Sequence, residues 1–330
     1  MKKVFYGLSL SILIFTACGG DHSGDDVTTE TSTTETEVAV VSTTEEVEIN
    51  GVKHFIEKIG EGEPIVVLHG GPGIFHDYLV PHFKQLAQQY QVIFYDQRGC
   101  GRTDFPKDTS SINIETYVED LEAIRNHLKI EKLNLMGHSW GALLAMKYGI
   151  KYPGNLNKLM LVSPAPSNSD YFDQTFANMQ KKRSEEDTKD LIQAMMSKKF
   201  ETREEETFRK VILLGDKTNL VDQTKIEELY APIQFSATTA NNLLIVNSLL
   251  ERTYFNFDIT NEGLENISCP TIILLGDMDN VPFLSAQSIQ EKIPGCQLTV
   301  FKKSCHYPFF EVPGEFNMAV KNFLNPEYEQ

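Results

Sequence analysis

The chain has 330 residues, 41% of them apolar, which is enough to bury a large core, and this length suits one catalytic domain with an insertion better than two equal domains. The formal net charge of -16 argues against nucleic acid and other polyanions as partners, and it favours solubility without identifying a substrate.

Read from the N-terminus, Lys2 and Lys3 precede the apolar run Val4 to Phe15. That run is too short to span a bilayer and has the length of a secretory signal core. It ends in Phe15-Thr16-Ala17-Cys18, which resembles a bacterial lipoprotein signal, with Phe15 in place of the usual leucine. The resemblance implies removal of residues 1–17, lipidation of Cys18 and an exported, membrane-anchored protein. The following stretch, Gly19 to Glu48, is almost entirely Gly, Ser, Thr, Asp, Glu and Val, a composition that cannot bury enough apolar surface to fold. Residues 18–46 are therefore expected to be a disordered acidic tether.

From Val47 the sequence alternates short apolar runs with helical stretches. Val47 to Ile49 and His54 to Ile59 flank Asn50-Gly51, a strong hairpin signal. Buried strands are then expected at Ile65 to Leu68, Val92 to Tyr95, Leu133 to Met136, Leu159 to Val162, Thr271 to Leu275 and Leu298 to Phe301. Continuous apolar runs of this kind suit a mostly parallel sheet covered by helices on both faces. Between Pro164 and Gly263 the strand signal stops, and Ser184 to Lys199, Glu201 to Gly215, Lys225 to Tyr230 and Asn241 to Arg252 have helical spacing. This arrangement predicts a two-part core, 47–163 and 264–330, interrupted by a helical cap over 164–263.

The chemistry is carried by four short segments placed at strand ends. His69-Gly70-Gly71-Pro72-Gly73 follows the third strand, where glycines let backbone N–H groups approach a reacting carbonyl. Such a loop can also cradle a phosphate, but the complete glycine-rich nucleotide patterns are absent. Gly137-His138-Ser139-Trp140-Gly141 lies between a strand and a predicted helix, the setting of a serine nucleophile on a sharp turn. A serine hydroxyl needs a base, and His306, in Ser304-Cys305-His306-Tyr307-Pro308 after the last strand, is the candidate. Gly276-Asp277-Met278-Asp279-Asn280 follows the seventh strand and supplies the acid that fixes the imidazole. Asp279 is preferred because the acid must project beyond the first turn residues; Asp277 is the alternative, and Asp170, at the cap entrance after the sixth strand, is a distant third. Gly71 and Trp140 N–H groups are the expected oxyanion donors. Of the remaining histidines, His22, His54, His76, His82 and His127 lie in segments without an evident paired acid, while His69 and His138 suit local hydrogen bonding. Cys100, Cys269, Cys296 and Cys305 match no metal spacing, and both disulfides (Cys269 with Cys296, or Cys296 with Cys305) and free thiols are open. No motif calls for a metal or a cofactor.

Together, His69 to Gly73, Asp96-Gln97-Arg98-Gly99-Cys100-Gly101-Arg102-Thr103 and Gly137 to Gly141 resemble the proline iminopeptidase (prolyl aminopeptidase) family of α/β-hydrolases, from about Val47 to the C-terminus. That family, which includes the tricorn-interacting aminopeptidases, removes an N-terminal residue, often proline, from short peptides. The resemblance implies an α/β-hydrolase fold, a short peptide substrate with a free N-terminus and an acyl-enzyme intermediate. Leu250-Glu251-Arg252-Thr253-Tyr254-Phe255 looks like the family segment whose glutamate binds the substrate amine, which makes Glu251 the candidate. The family's second amine-binding glutamate, in a tryptophan-containing cap segment, has no clear counterpart, since Trp140 is the only tryptophan, and Ala142 replaces a family glycine. Two rival readings remain: an esterase or lactonase that has no use for a cap carboxylate, and a non-catalytic binding protein on the same scaffold.

Overall fold

The computed structural model describes residues 41–251 and 257–325. Eight strands form one sheet in the order β1-β2-β4-β3-β5-β6-β7-β8. They are β1 (Ser42–Ile49), β2 (Val52–Ile59), β3 (Glu63–Leu68), β4 (Tyr90–Tyr95), β5 (Leu133–His138), β6 (Leu156–Val162), β7 (Thr271–Gly276) and β8 (Gln297–Phe301). The β1–β2 hairpin turns on Asn50 and Gly51, both at positive φ (47° and 74°), a backbone that suits the twist of the flanking strands. β1 and β2 run antiparallel at one edge, and β3 to β8 are parallel.

The hairpin corrects the expected tether boundary. β1 begins at Ser42, so Ser42 to Glu46 are strand, paired with Ile59 to Phe55. An edge strand needs little apolar surface. Here Glu45 pairs with Lys58 and Glu46 with Lys53, each at 2.7 Å, so the acidic run finds its partners across the ladder. Residues 1–40, including the expected signal, Cys18 and most of the tether, lie outside the described residues.

Alternate residues of each central strand enter opposite apolar clusters, as a period of two requires. Val66, Leu68, Leu135, Leu159, Leu161, Ile273 and Leu275 pack with α2 (Ile114–His127), α3 (Trp140–Lys151) and α10 (Phe283–Lys292). Ile65, Val67, Met136, Met160, Val162, Ile272 and Leu274 pack with α1 (Val80–Phe83), α11 (Pro308–Glu311) and α12 (Pro313–Leu324). The sheet is therefore covered on both faces, and its functional end is the edge where the strands finish.

The cap contains α4 (Ser169–Lys182), α5 (Glu185–Met195), α6 (Lys198–Glu201), α7 (Glu205–Asp216), α8 (Ile226–Leu229) and α9 (Ala237–Leu250). The single helix expected over Ser184 to Lys199 is broken at Ser197, whose hydroxyl accepts from Phe200 N–H and starts α6 afresh. α9 begins earlier than its apolar spacing indicates, because Ser236 and Thr239 form a reciprocal capping box. No helix among the described residues is long and apolar enough to cross a membrane.

Candidate active site

Ser139 joins β5 to α3 at φ 55°, ψ -117°, a backbone that an L-residue holds only where its surroundings enforce it. The enforcement comes from both neighbouring glycines. A Cβ on Gly137 would strike the Gly141 carbonyl, and one on Gly141 would strike the Leu68 carbonyl. The turn is pinned further by Ser139 N–H donating to Val162 O at 3.0 Å and by Ala165 N–H donating to Ser139 O at 3.1 Å. Ser139 is partly exposed while Trp140 beside it is buried, so the turn presents its serine at the finishing edge of the sheet.

The loops after β7 and β8 touch: a Cβ on Gly276 would meet the Cys305 and Ser304 carbonyls. This contact brings Asp279 to His306. Both carboxylate oxygens stand 3.1 Å from His306 Nδ1, and Val281 N–H donates to one of them at 2.9 Å. Burial works against charge on Asp279, but the adjacent His306, the Val281 amide and the nearby Ser163 hydroxyl outweigh it and hold the carboxyl below its ordinary range. Burial likewise pushes the His306 imidazole down, yet Asp279, with smaller contributions from Asp216 and Glu311, raises it on balance. The alternative acid, Asp277, is exposed and faces Lys302 at 3.6 Å. It does not reach the histidine.

The glycine loop lies against the serine. A Cβ on Gly70 would come 3.3 Å from Ser139 Cβ and 3.0 Å from His138 Nδ1. Gly71 follows at φ 129°. Two hydrogen-bond chains hold this loop. In the first, Trp140 Nε1–H donates to Gln97 Oε1 at 2.9 Å, Gln97 Nε2 donates to His69 O at 2.9 Å, and Gln97 N–H donates to His69 Nε2 at 3.0 Å. That fixes the His69 proton on Nδ1, which donates to Gly70 O at 2.8 Å; burial keeps this ring neutral, its pKa lowered to about 4. In the second, Gly70 N–H donates to the Tyr78 hydroxyl at 2.9 Å, Tyr78 donates to His138 Nδ1 at 2.7 Å, and His138 Nε2–H donates to His306 O at 3.0 Å. His138 is neutral as well, lowered to about 3 by burial and by the charge of His306. Tyr78 escapes a reading of the sequence because no motif announces a partner 60 residues away, and Gln97, although it stands in the Asp96 to Thr103 segment, gives no sign there of its bonds to His69 and Trp140.

Three of the histidines expected to lack an acid have one. His76 is buried between Asp96 (2.7 Å) and Glu57 (3.1 Å), and His54 and His127 stand 3.4 and 3.3 Å from Asp120 and Glu45. The partners come from distant strands and helices. Burial opposes charge on His76, but Asp96 and Glu57 raise it to about 9. His76, Asp77 and Asp96 are close enough to share a metal ion. The Arg102 guanidinium already supplies the cation there, with Nη2 2.9 Å from Asp77 and Nε 3.2 Å from Asp96. The Asp96 to Thr103 segment is thus a brace behind the site: Arg98 pairs with Asp120 and Thr103 donates back to Asp96 O. The cysteines Cys100, Cys269, Cys296 and Cys305 are all free thiols.

Glu251 follows α9, the helix that lies on the glycine loop through Asn247 Nδ2 and Pro72 O at 3.4 Å. Its carboxylate is partly buried, is raised above its ordinary value by that burial, and has no ion-pair partner among the described residues. Residues 252–256, which contain Tyr254 and Phe255, lie outside the described residues. The assembled groups comprise a hydroxyl on a constrained turn, an imidazole held by a carboxylate, glycine-loop and helix-start amides, and a partly buried carboxylate on the covering cap. Such a set can activate a serine, receive an oxyanion and hold a cation.

The family described as the alpha/beta hydrolase fold matches residues 63–313. A proline iminopeptidase of Heyndrickxia coagulans is 30% identical over 275 residues, 81% of this chain and 92% of the relative. One from Saccharolobus solfataricus is 32% identical over 279 residues, covering 82% and 87% of the two chains. Among solved structures, an alpha/beta fold family hydrolase from Bacillus anthracis superimposes with a TM-score of 0.66 at 25% identity, over 86% of this chain and 100% of that one. The chain belongs to the α/β-hydrolase fold and, within it, to the proline iminopeptidase family.

Proposed function

We propose that this protein is a serine aminopeptidase that releases an N-terminal proline, or another small or apolar residue, from short peptides. The observation that carries the reading is an acid–base pair, Asp279 with both oxygens 3.1 Å from His306 Nδ1, set at the same sheet edge as the Ser139 turn. Ser139 Oγ attacks the first carbonyl of the peptide while His306 takes its proton, and Asp279 holds the imidazole with its Nδ1 proton in place. The tetrahedral oxyanion is received by the Gly71 and Trp140 amides; the Gly70 amide is occupied by Tyr78. His306 then protonates the departing amine, and water resolves the acyl-enzyme by the reverse sequence. Glu251 binds the free amine, and its partly buried carboxylate supports that role because a cationic ligand would relieve the cost of its burial.

The test compares Glu251→Gln with the parent on a prolyl arylamide and on an uncharged short acyl ester. Truncating one partner of a buried charge pair costs about 2–5 kcal/mol, so arylamide kcat/KM should fall roughly 30-fold to several thousandfold while ester hydrolysis is much less affected. Equal losses on both would assign Glu251 a structural role, and rapid ester turnover without arylamide turnover in the parent would favour the esterase or lactonase reading.

We propose further that the protein is exported and anchored by lipid on Cys18. Support comes from Lys2-Lys3, the apolar run Val4 to Phe15, the Thr16-Ala17-Cys18 end and the polar tether that follows. Cys18→Ser should move the protein from the membrane to the soluble fraction; unchanged membrane association would refute the anchor.

A further inference from the structure

The segment at the end of α7 is cap in sequence but lies against both loops that carry the acid and the base. Asn219 commits its carbonyl and both amide atoms there, two to the loops and one to its own segment. Its backbone carbonyl accepts from His306 N–H at 3.1 Å, its Oδ1 accepts from Asn280 Nδ2 at 2.7 Å, and its Nδ2 donates to Asp216 Oδ1 at 2.8 Å. Asn280 is the residue after Asp279, and its Nδ2 also donates to Thr218 O at 2.8 Å. Asp216 is fixed in turn by two phenols, Tyr307 at 2.6 Å and Tyr230 at 3.1 Å, and Tyr307 is the residue after His306. The orientation of both amides follows from this carboxylate. Asp216 only accepts, so Asn219 must turn Nδ2 towards it and Oδ1 towards Asn280, and Asn280 must answer with Nδ2. Most of the hub is shielded from water: Thr218, Asn280, Tyr230 and Tyr307 are buried and Asn219 is 9% exposed, while Asp216 is half-buried. Two more cap groups reach the acid turn, Asn178 Nδ2 to Asn280 O at 3.0 Å and Lys182 Nζ to Met278 O at 2.7 Å.

We infer that Asn219 is a positioning residue for the reaction: it holds the Asp279 and His306 loops in register, so that the cap sets the geometry of the base as well as covering the site. The inference rests on the assignment of Ser139, Asp279 and His306 as the reacting triad. The side chain joins the acid loop, through Asn280, to Asp216, which Tyr307 of the base loop also bonds, and the backbone carbonyl takes the base loop directly. Losing the side chain frees the acid loop and Asp216 from each other, and a misplacement of about 1 Å at a reacting pair costs on the order of 100-fold in rate.

The test uses the purified protein with a fluorophosphonate, in which Ser139 Oγ displaces fluoride from phosphorus while its proton passes to the base. This probe reads activation of the serine without using the amine subsite. In the parent it should label Ser139, and in Asn219→Ala both the labelling rate and arylamide kcat should fall about 10- to 100-fold with KM changed far less. Asn280→Ala cuts the same bond from the other side and should give a similar loss, and the double variant should lose little more than either single one. Lys210→Ala, which removes an exposed cap ion pair with Asp190, is the control expected to keep the parental rates. Failure of the parent to label at Ser139 would overturn the proposed function itself. Normal labelling in the parent with an unchanged rate in Asn219→Ala, whatever its melting temperature, or a rise in KM alone, would overturn the positioning role. If Asn219→Ala does not fold, Asn280→Ala decides by the same criteria.

Discussion

Replacing Asp279 by asparagine keeps the shape of the turn and changes one property, the ability to accept a proton donated by His306 Nδ1. In the parent both carboxylate oxygens lie 3.1 Å from that nitrogen. An asparagine amide that turns its NH2 towards the ring makes Nδ1 an acceptor and moves the ring proton to Nε2, where the imidazole can no longer take the serine proton. Loss of this kind is about 10⁴-fold in kcat, or roughly 5.5 kcal/mol of transition-state stabilisation. The pH dependence should move with it. Asp279 is the main group that raises His306 against burial, leaving only the weaker contributions of Asp216 and Glu311 in the variant, with His138 facing the ring from the serine turn. The acid limb of the residual activity should therefore shift to lower pH. The assay is steady-state hydrolysis of a prolyl arylamide across pH, with active sites counted by fluorophosphonate labelling, and Asp277→Asn as a control expected to stay near parental. An Asp279→Asn variant that keeps more than about a tenth of parental kcat, or an Asp277→Asn variant that is the crippled one, would refute the assignment.

Gly141→Ala should abolish both activity and folded yield, since its Cβ would meet the backbone of Leu68 and His69, which cannot yield as a flexible side chain would; a soluble, active Gly141→Ala protein would contradict the close approach of α3 to β3. Tyr78→Phe leaves the buried Gly70 N–H without its acceptor and His138 Nδ1 without its donor, a loss of about 1–3 kcal/mol in chemical or thermal unfolding. His76 gives an alkaline signature. Its folded pKa is raised from 6.5 to about 9, so its contribution is fully present below 6.5 and is lost as pH rises through about 9. That interval is worth at most about 3 kcal/mol. The melting temperature of the parent should fall across it, and His76→Gln should start lower and lack that fall; an identical alkaline slope in both would show that other groups cause it.

The parts of the molecule legible in the sequence are those whose signal is local. Runs such as Ile65 to Leu68 and Thr271 to Leu275 announce buried strands by unbroken apolarity, and all eight strands lie where these runs predict, with ends displaced by a few residues. The Ser139 turn reads from two small residues that geometry demands, and Asp279 and His306 read from their places after β7 and β8. β1 is longer than expected because Ser42 to Glu46 gain their partners from β2, a cross-strand effect that composition does not reveal. α4 was hidden for a different reason: it is polar and only partly buried, and its one clear signal is Asn168 capping Tyr171 N–H. The supports of the site were illegible altogether. Asp216, Asn219, Gln97 and Tyr78 act through hydrogen bonds to residues distant in the chain, and no spacing rule connects an asparagine at 219 with a histidine at 306.

The central claim is that a serine hydrolase site here reads a free N-terminal amine. The most direct measurement is kcat/KM for a prolyl arylamide against its N-acetylated counterpart, with the same leaving group and the same scissile bond. The free-amine compound should be preferred by roughly 30-fold to several thousandfold, the range expected for one desolvated charge pair. Equal turnover of the two, each abolished by Ser139→Ala, would leave the hydrolase in place and contradict its reading as an aminopeptidase.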